Sequence, residues 1–270
     1  MPVTCLTGRT NPTVIRTAAL KDKKNRDADR LFLTEGIKLF LEAVQSGAEI
    51  DRIFTTEKNL ALCLKHAEES RIVCVSESVF EKLSSEKSPE GVICRIKYID
   101  KLHNFNKIYK ENERFPEGKH LFMAHALRDP GNLGTVIRTA RAFGTDEVIL
   151  SRDCADLYNA RTVRASMGAL FRQRVSYAQS FPDAIRQLRA SGYSVYAAML
   201  DPEAKKLTEL PPDSRQVFII GNEGHGLPAE IASLATGTVY IPMAKDSVES
   251  LNAAAAASVF LWTSFCANQI

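Results

Sequence analysis

The sequence has 270 residues, 45% of them hydrophobic and 25% charged, a balance that supplies two domain cores and excludes a disordered chain. The formal net charge is only +3, yet seven Lys or Arg against three Asp fall in the first thirty residues, and Arg161 to Arg174 holds four Arg and no acid; such clusters suit a polyanion and an ordinary solvated face equally well. No stretch reaches the roughly 18 apolar residues of a membrane helix and the N-terminus lacks an apolar signal core, so no membrane helix is expected and the cytoplasm is the simplest location.

Asn11-Pro12 is a polar cap followed by proline in the first turn, and a helix with a basic face should run from Asn11 to about Asn25. A short strand, Leu31 to Leu33, leads through Glu35-Gly36 into an amphipathic helix that ends near Ser46, with Gly47 as its stop. A strand at Ile50 to Thr55, a helix at Lys58 to Ser70, a strand at Arg71 to Val75, a short helix at Val79 to Leu83 and an alternating strand at Gly91 to Ile96 complete a small α/β unit. From Asp100 to Gly118 the composition turns to Lys, Asn and Glu with one Pro and little apolar periodicity. We read a first domain at 1–100, a linker at 101–118 and a second domain at 119–270.

The second domain opens on a buried-type strand, Leu121 to Ala124, and the turn Asp129-Pro130-Gly131 feeds a helix that runs to Phe143 and closes at Gly144. Strands follow at Glu147 to Leu150, Arg174 to Tyr177, Tyr193 to Met199, Val217 to Ile220 and Val239 to Ile241, with helices near Asn159 to Leu170, Pro182 to Ser191 and Pro228 to Ala235 between them. This alternation predicts a mostly parallel sheet with its ligand at the strands' carboxyl ends. Two strands end there in marked loops: Phe218-Ile219-Ile220 breaks into Gly221-Asn222-Glu223-Gly224-His225-Gly226, and Ile241-Pro242-Met243 leads through Ser250 and Asn252 into an alanine-rich helix. Glycine and proline at such ends leave main-chain donors and acceptors free for a small polar ligand.

The glycines are spaced G-x-x-G-x-G after a late strand, not G-x-G-x-x-G after the first, and no phosphate loop ending in Gly-Lys-Ser/Thr is present; the two commonest nucleotide-binding readings fall away. Cys5, Cys63, Cys74, Cys94, Cys154 and Cys266 are scattered, with no Cys-x-x-Cys pair, and read as free thiols in a reducing compartment. The five histidines are equally dispersed, so no structural metal is expected.

Asp129-Pro130-Gly131-Asn132-Leu133-Gly134-Thr135-Val136-Ile137-Arg138-Thr139-Ala140, then Phe218 to Gly226, then Ile241-Pro242-Met243 with Ser250-Leu251-Asn252, resemble in order the three motifs of the SpoU/TrmH family of RNA 2′-O-ribose methyltransferases, in the SPOUT superfamily. Arg164 to Phe171 is similar to the same family. Asn11-Pro12 and Phe32 to Gly36 resemble its N-terminal RNA-substrate-binding module, which has a ribosomal-protein-like α/β fold, so the likeness spans nearly the whole chain. The resemblance implies a homodimer whose C-terminal α/β domain is a mostly parallel sheet with a deep trefoil knot. It also implies S-adenosylmethionine held in that knot, and a structured RNA as substrate, rRNA more than tRNA. Matched position by position, it implies Gly221, Ile241, Met243 and Leu251 as cofactor contacts and Asn132, Arg138, Glu223, Ser250 and Asn252 as polar active-site residues. The basic N-terminal helix would offer Arg16, Lys23, Lys24 and Arg26 to RNA phosphates. The loop Ala244 to Ser247 is one residue longer than the family's and lacks its glycine, and Ala253 to Ala257 stands where larger β-branched residues are expected.

Plainer readings exist for each residue. Ser250 and Asn252 suit caps on the last helix, Arg138 with Arg141 three residues on suits a surface charge, and Glu223 suits the polar position of a turn; their joint occurrence weighs against all three. A non-catalytic RNA-binding protein on the same fold is the alternative, opposed by the intact set of Asn132, Arg138, Glu223 and Asn252. A base methyltransferase is disfavoured, because the motif loops hold no Cys and no Asp-Pro-Pro-Tyr-like clamp. A guanidinium, with a pKa above about 12, is a poor proton acceptor. Arg138 therefore reads as a clamp on the flanking phosphate that also steadies the developing alkoxide.

Overall fold

The computed structural model describes residues 5–99, 103–104, 120–213, 215–244 and 250–267. The chain divides into two compact units, Met1–Ile99 with Asp156–Phe171, and Asp100–Ala155 with Arg172–Ile270. The first part holds α1 (Pro12–Ala19), α2 (Lys23–Asp29), β1 (Leu31–Glu35), α3 (Ile37–Gln45), β2 (Ile50–Thr55), α4 (Glu57–His66), β3 (Ile72–Cys74), α5 (Glu77–Leu83) and β4 (Val92–Lys97). Its sheet runs β1-β4-β2-β3, antiparallel except where β2 meets β3. Val14 of α1, Phe54 of β2, Val79, Phe80 and Leu83 of α5 and Ile93 of β4 meet in one core.

Three expectations about this unit are corrected. The basic helix over 11–25 is two helices. Asn11 Oδ1 does accept from the Thr13 N–H at 2.9 Å with Pro12 in the first turn. The helix stops at Ala19, however, because Leu20 is buried, Lys21 Nζ donates to the carbonyls of Lys82 and Ser84 at 3.0 and 2.6 Å, and Asp22 is extended; tertiary bonding overrides a continuous helical pattern. Arg26 is only 5% exposed. Its guanidinium donates to Asp156 Oδ2 at 2.6 Å and to the carbonyls of Leu20 and Lys21 at 2.9 and 2.6 Å, which withdraws it from any surface that meets a phosphate. Finally, Cys5 and Cys74 form a disulfide. The Leu6 N–H donates to the Cys74 carbonyl and the Ser76 N–H to that of Leu6, at 2.8 and 2.9 Å, laying the N-terminal stretch beside β3. Cys63, Cys94, Cys154 and Cys266 are free, and burial pushes the Cys154 thiol up to about 11.

The chain continues with β5 (His103–Asn104), β6 (Leu121–Ala124), α6 (Pro130–Ala142), β7 (Glu147–Leu150), α7 (Ala160–Ala165), β8 (Arg174–Tyr177), α8 (Phe181–Ala190), β9 (Ser194–Ala198), β10 (Lys205–Lys206), β11 (Gln216–Ile220), α9 (Ala229–Ala232), β12 (Gly237–Tyr240) and α10 (Ala253–Ala267). Among the described residues, eight strands form one sheet in the order β10-β12-β9-β11-β6-β7-β8-β5, and every pairing is parallel. β5 falls within the expected linker, whose other residues lie outside the described ones. The helix expected to reach Leu170 ends at Ala165, because Met167 and Gly168 turn left-handed at φ 50 and 91. That helix lies in the 156–171 stretch that packs with the first unit.

Every residue of β6, β7 and β11 is buried, as expected of parallel strands covered on both faces. β11 lies between β9 and β6, so the glycine turn after Ile220 leaves the sheet at its middle. Beside it, Asp129 Oδ1 accepts from the Asn132 N–H at 2.9 Å and Pro130 fills the first turn of α6, which fixes where Asn132 stands. α10 packs on α6 and β11. Among the described residues no helix is long and apolar enough to cross a membrane.

Candidate active site

At the carboxyl ends of β9, β11 and β12 the chain encloses a cavity of about 390 Å³. Its wall is made by Met199 and Leu200 beyond β9, Gly221 to Leu227 after β11, Ile241 and Met243 after β12, and Ser250 and Leu251 ahead of α10. All four residues expected to touch a cofactor, Gly221, Ile241, Met243 and Leu251, line this one space. The longer loop noted at Ala244 to Ser247 lies outside the described residues from 245 onward.

The turn after β11 closes on itself. The Asn222 N–H donates to the Gly226 carbonyl at 2.9 Å and the Gly226 N–H to that of Asn222 at 3.0 Å, with Gly226 at φ +65. A Cβ on Gly221 would lie 2.3 to 2.5 Å from main-chain atoms of Gly226 and Leu227, so only glycine fits there. Inside the turn, Asn222 Nδ2 donates to the Ala126 carbonyl at 2.9 Å, while its Oδ1 accepts from the N–H groups of Gly224 and His225 at 2.9 and 3.1 Å. Sequence reasoning passed over Asn222, whose only signal was its place among three glycines.

Three motifs meet beside this turn. Glu223 accepts from the N–H groups of Arg128 and Asp129 at 3.1 and 2.9 Å and from Asn132 Nδ2 at 3.1 Å. Asn132 Oδ1 accepts from Asn252 Nδ2 at 3.0 Å. Asn252 Oδ1 in turn accepts from the N–H groups of Ala254 and Ala255 at 2.9 and 3.3 Å. Asn252 is thus a helix cap and a member of the polar cluster at once, and the backbone donors fix which way its amide faces. Ser250 is exposed on the cavity wall. Arg138 is exposed on α6 and, among the described residues, has no ion-pair partner. Of the N-terminal cations, Arg16 Nε bonds Asp29 at 2.9 Å and Lys23 Nζ bonds Asp27 at 2.5 Å, while Lys24 is exposed and unpaired among the described residues. No group of three His, Cys, Asp or Glu among the described residues is placed to hold a metal ion.

Partial burial pushes the Glu223 carboxyl up, but hydrogen bonds from the Asp129 N–H, Asn132 and the Arg128 N–H outweigh it and hold the group below the usual glutamate value. With the folded pKa below the unfolded one, those bonds stabilise the protein above the unfolded value and the benefit is lost as pH falls through the folded one. Glu223→Gln should therefore be less stable than wild type in urea unfolding at neutral pH, with the gap closing on acidification below about pH 4. An equal gap at both pH values would show that the charge contributes nothing.

Among the described residues, a wholly parallel sheet with a cavity at its carboxyl ends and a polar cluster beside it is the arrangement of an α/β protein that binds a small ligand beyond its strands. Residues 119–262 match the SpoU rRNA Methylase family, and residues 11–94 match the MRM3-like substrate binding domain. The 23S rRNA (guanosine(2553)-2'-O)-methyltransferase RlmP of Bacillus subtilis (strain 168) is 30% identical over 90% of this chain and 92% of its own. The AdoMet-bound rRNA methyltransferase from Sinorhizobium meliloti superposes with a TM-score of 0.81 and 31% identity over 97% of each chain. An RNA 2'-O ribose methyltransferase structure superposes equally, at 0.81 with 28% identity, over 99% of this chain and 100% of that one. The chain belongs to the SpoU rRNA methylase family and has its SPOUT-type α/β fold.

Proposed function

We propose that this protein transfers a methyl group from S-adenosylmethionine to a ribose 2′-hydroxyl of a structured RNA, rRNA rather than tRNA. The observation that carries the reading is the hydrogen-bonded run Glu223, Asn132, Asn252 at the rim of the cavity. In it, three separate motifs of one family converge on a group suited to holding a hydroxyl. The relatives support the finer points: one methylates the 2′-oxygen of a guanosine in 23S rRNA, another is a 2′-O ribose methyltransferase. Residues 1–100 would dock the RNA and 119–270 carry out the reaction.

The cavity fits the cofactor. Its volume lies within the roughly 300 to 1,000 Å³ of small-molecule sites. Met199, Leu200 and Ile241 offer apolar cover for a flat base, and the missing Cβ at Gly221 leaves the turn close against the wall. When bound, S-adenosylmethionine supplies an electrophilic methyl group on a positively charged sulfur. Gly221, Ile241, Met243 and Leu251 would hold it, largely through main-chain groups. Asn132 and Asn252, kept in place by Glu223 and the end of α10, with Ser250 beside them, would orient the ribose hydroxyl so that rate comes from positioning. The Arg138 guanidinium, bound to nothing else among the described residues, is free to clamp the flanking phosphate in a bidentate bond.

The homodimer belongs to the same proposal. α10 is apolar on every side, and Trp262 is 50% exposed with its ring 5.4 Å from Phe143 and 5.8 Å from Phe265; such a helix face calls for cover, and a second copy is the cover we propose. The trefoil knot is proposed as well, supported by β12 lying beyond β9 while α10 returns to β11 and α6. The cytoplasmic location rests on the RNA substrate alone, since the Cys5–Cys74 pair removes the thiol argument.

Lys24 is the N-terminal cation we expect to meet RNA. Lys24→Ala should weaken binding and reduce the log–log salt slope by close to one; an unchanged slope in filter-binding titrations would return it to an ordinary solvated charge. For the reaction itself, the protein is incubated with methyl-labelled S-adenosylmethionine and total RNA from cells deleted for this gene, and the RNA is digested to nucleosides. Label should appear in a 2′-O-methyl nucleoside. Label in a methylated base would overturn the ribose assignment, and cofactor bound without transfer would favour a non-catalytic RNA-binding protein.

A further inference from the structure

We infer that His225 is the general base that takes the proton from the substrate hydroxyl, an inference that rests on the methyl-transfer reading above. The hydroxyl must lose that proton, and a guanidinium is a poor acceptor. Among the described residues, the titratable side chains lining the cavity are Glu223, His225 and Tyr240. Both oxygens of Glu223 are taken by N–H donors, and its carboxyl is held below its usual value, which makes it a weak base. The Tyr240 phenol carries an O–H of its own and meets a hydroxyl as a hydrogen-bonding partner.

The imidazole is different, and the hydrogen bonds around Asn222 show how. Asn222 Nδ2 faces the Ala126 carbonyl, which can only accept, and Asn222 Oδ1 faces the N–H groups of Gly224 and His225, which can only donate. The amide cannot be turned over without breaking all three bonds. His225 Nδ1 lies 3.2 Å from that same Oδ1. An oxygen opposite Nδ1 requires a proton on Nδ1, so the neutral ring carries its lone pair on Nε2. A ring held in one tautomer by an oriented neighbour is the arrangement by which bases are prepared for proton abstraction. The side chain is exposed on the cavity wall, two residues from Glu223, whose carboxylate holds the Asn132 amide that would orient the hydroxyl. Among the described residues, the charged and titratable groups sharing its turn, its cavity or the loop bonded to Glu223 are Glu223 itself, Arg128, Asp129 and Tyr240.

In the step assigned to it, the ribose O–H bond breaks and its proton passes to Nε2. The electron pair left on oxygen forms the bond to the methyl carbon as the carbon–sulfur bond breaks, its pair staying on sulfur. The positive charge that began on sulfur ends on the imidazolium, so charge and atoms balance.

Three measurements test the assignment. Ring-nitrogen NMR on the protein labelled at histidine should show Nδ1 protonated and Nε2 as the free acceptor in the neutral ring of His225; the reverse tautomer overturns the inference. Calorimetry should give His225→Gln nearly the wild-type affinity for S-adenosylmethionine. Single-turnover methylation of total RNA from gene-deleted cells should rise with pH across the range in which imidazoles lose their proton, about pH 5 to 8. In His225→Gln that limb should be missing and the rate lower by about 10² to 10⁴; His225→Ala should regain rate with added imidazole. A variant that keeps the wild-type rate and pH limb overturns the base assignment alone, as does one that loses cofactor affinity at an unchanged saturated rate. Wild-type protein that transfers no methyl group overturns the reading beneath it and the assignment with it.

Discussion

Gly221→Val should lose S-adenosylmethionine affinity by at least about 100-fold, close to 2.7 kcal/mol, while the protein still folds. The Cβ introduced there would sit 2.3 Å from the carbonyl carbon of Gly226, 2.4 Å from its oxygen and 2.5 Å from the Leu227 nitrogen. These are main-chain atoms, so no rotamer change relieves the clash and the turn itself must move. Overpacking of this kind costs about 1–3 kcal/mol of stability. The displaced backbone is the same backbone that walls the cavity and carries the Asn222 bonds, which is why binding should suffer more than folding. Calorimetric titration with circular dichroism as the folding control decides it. Undiminished affinity would remove the turn from the cofactor site.

Arg138→Ala should leave cofactor affinity and stability close to wild type and lower kcat by about 10² to 10³, the usual cost of one lost electrostatic contact to a transition state. Its guanidinium is exposed and bonded to nothing else among the described residues, so the folded protein loses little, within about 0.5 kcal/mol. Arg138→Lys should recover only part of the rate, because an ammonium lacks the planar fork that grips a phosphate from two sides. Near wild-type turnover in the alanine variant would make Arg138 a surface charge after all.

The parallel sheet was legible because its central strands are buried on both faces: Leu121 to Ala124 and Val217 to Ile220 are short uninterrupted apolar runs bounded by turn residues, in regular alternation with helical patterns. The caps at Asn11 and Asp129 were legible for a local reason, since each side chain bonds an N–H two or three residues on. What stayed hidden depends on distant partners. β5 and β10 are two residues each, too short to show a period. The break between α1 and α2 is set by carbonyls some sixty residues away. Arg26 looks like its exposed neighbours until Asp156 is brought to it across 130 residues, and Cys5 meets Cys74 across 69. In the site, the motif residues Asn132, Glu223 and Asn252 were named from the sequence, but their mutual bonds exist only once three loops converge, and the orientation of Asn222 needs the Ala126 carbonyl 96 residues away.

Alkaline hydrolysis of end-labelled product RNA tests ribose methylation most directly. Hydroxide cleaves RNA by driving the 2′-oxygen onto the adjacent phosphate, so a methyl group on that oxygen leaves one linkage uncut. Ribose 2′-O-methylation predicts a ladder with a single missing band that appears only when the RNA has met both the protein and S-adenosylmethionine. A complete ladder, with a methylated base in the nucleoside digest of the same RNA, would contradict it.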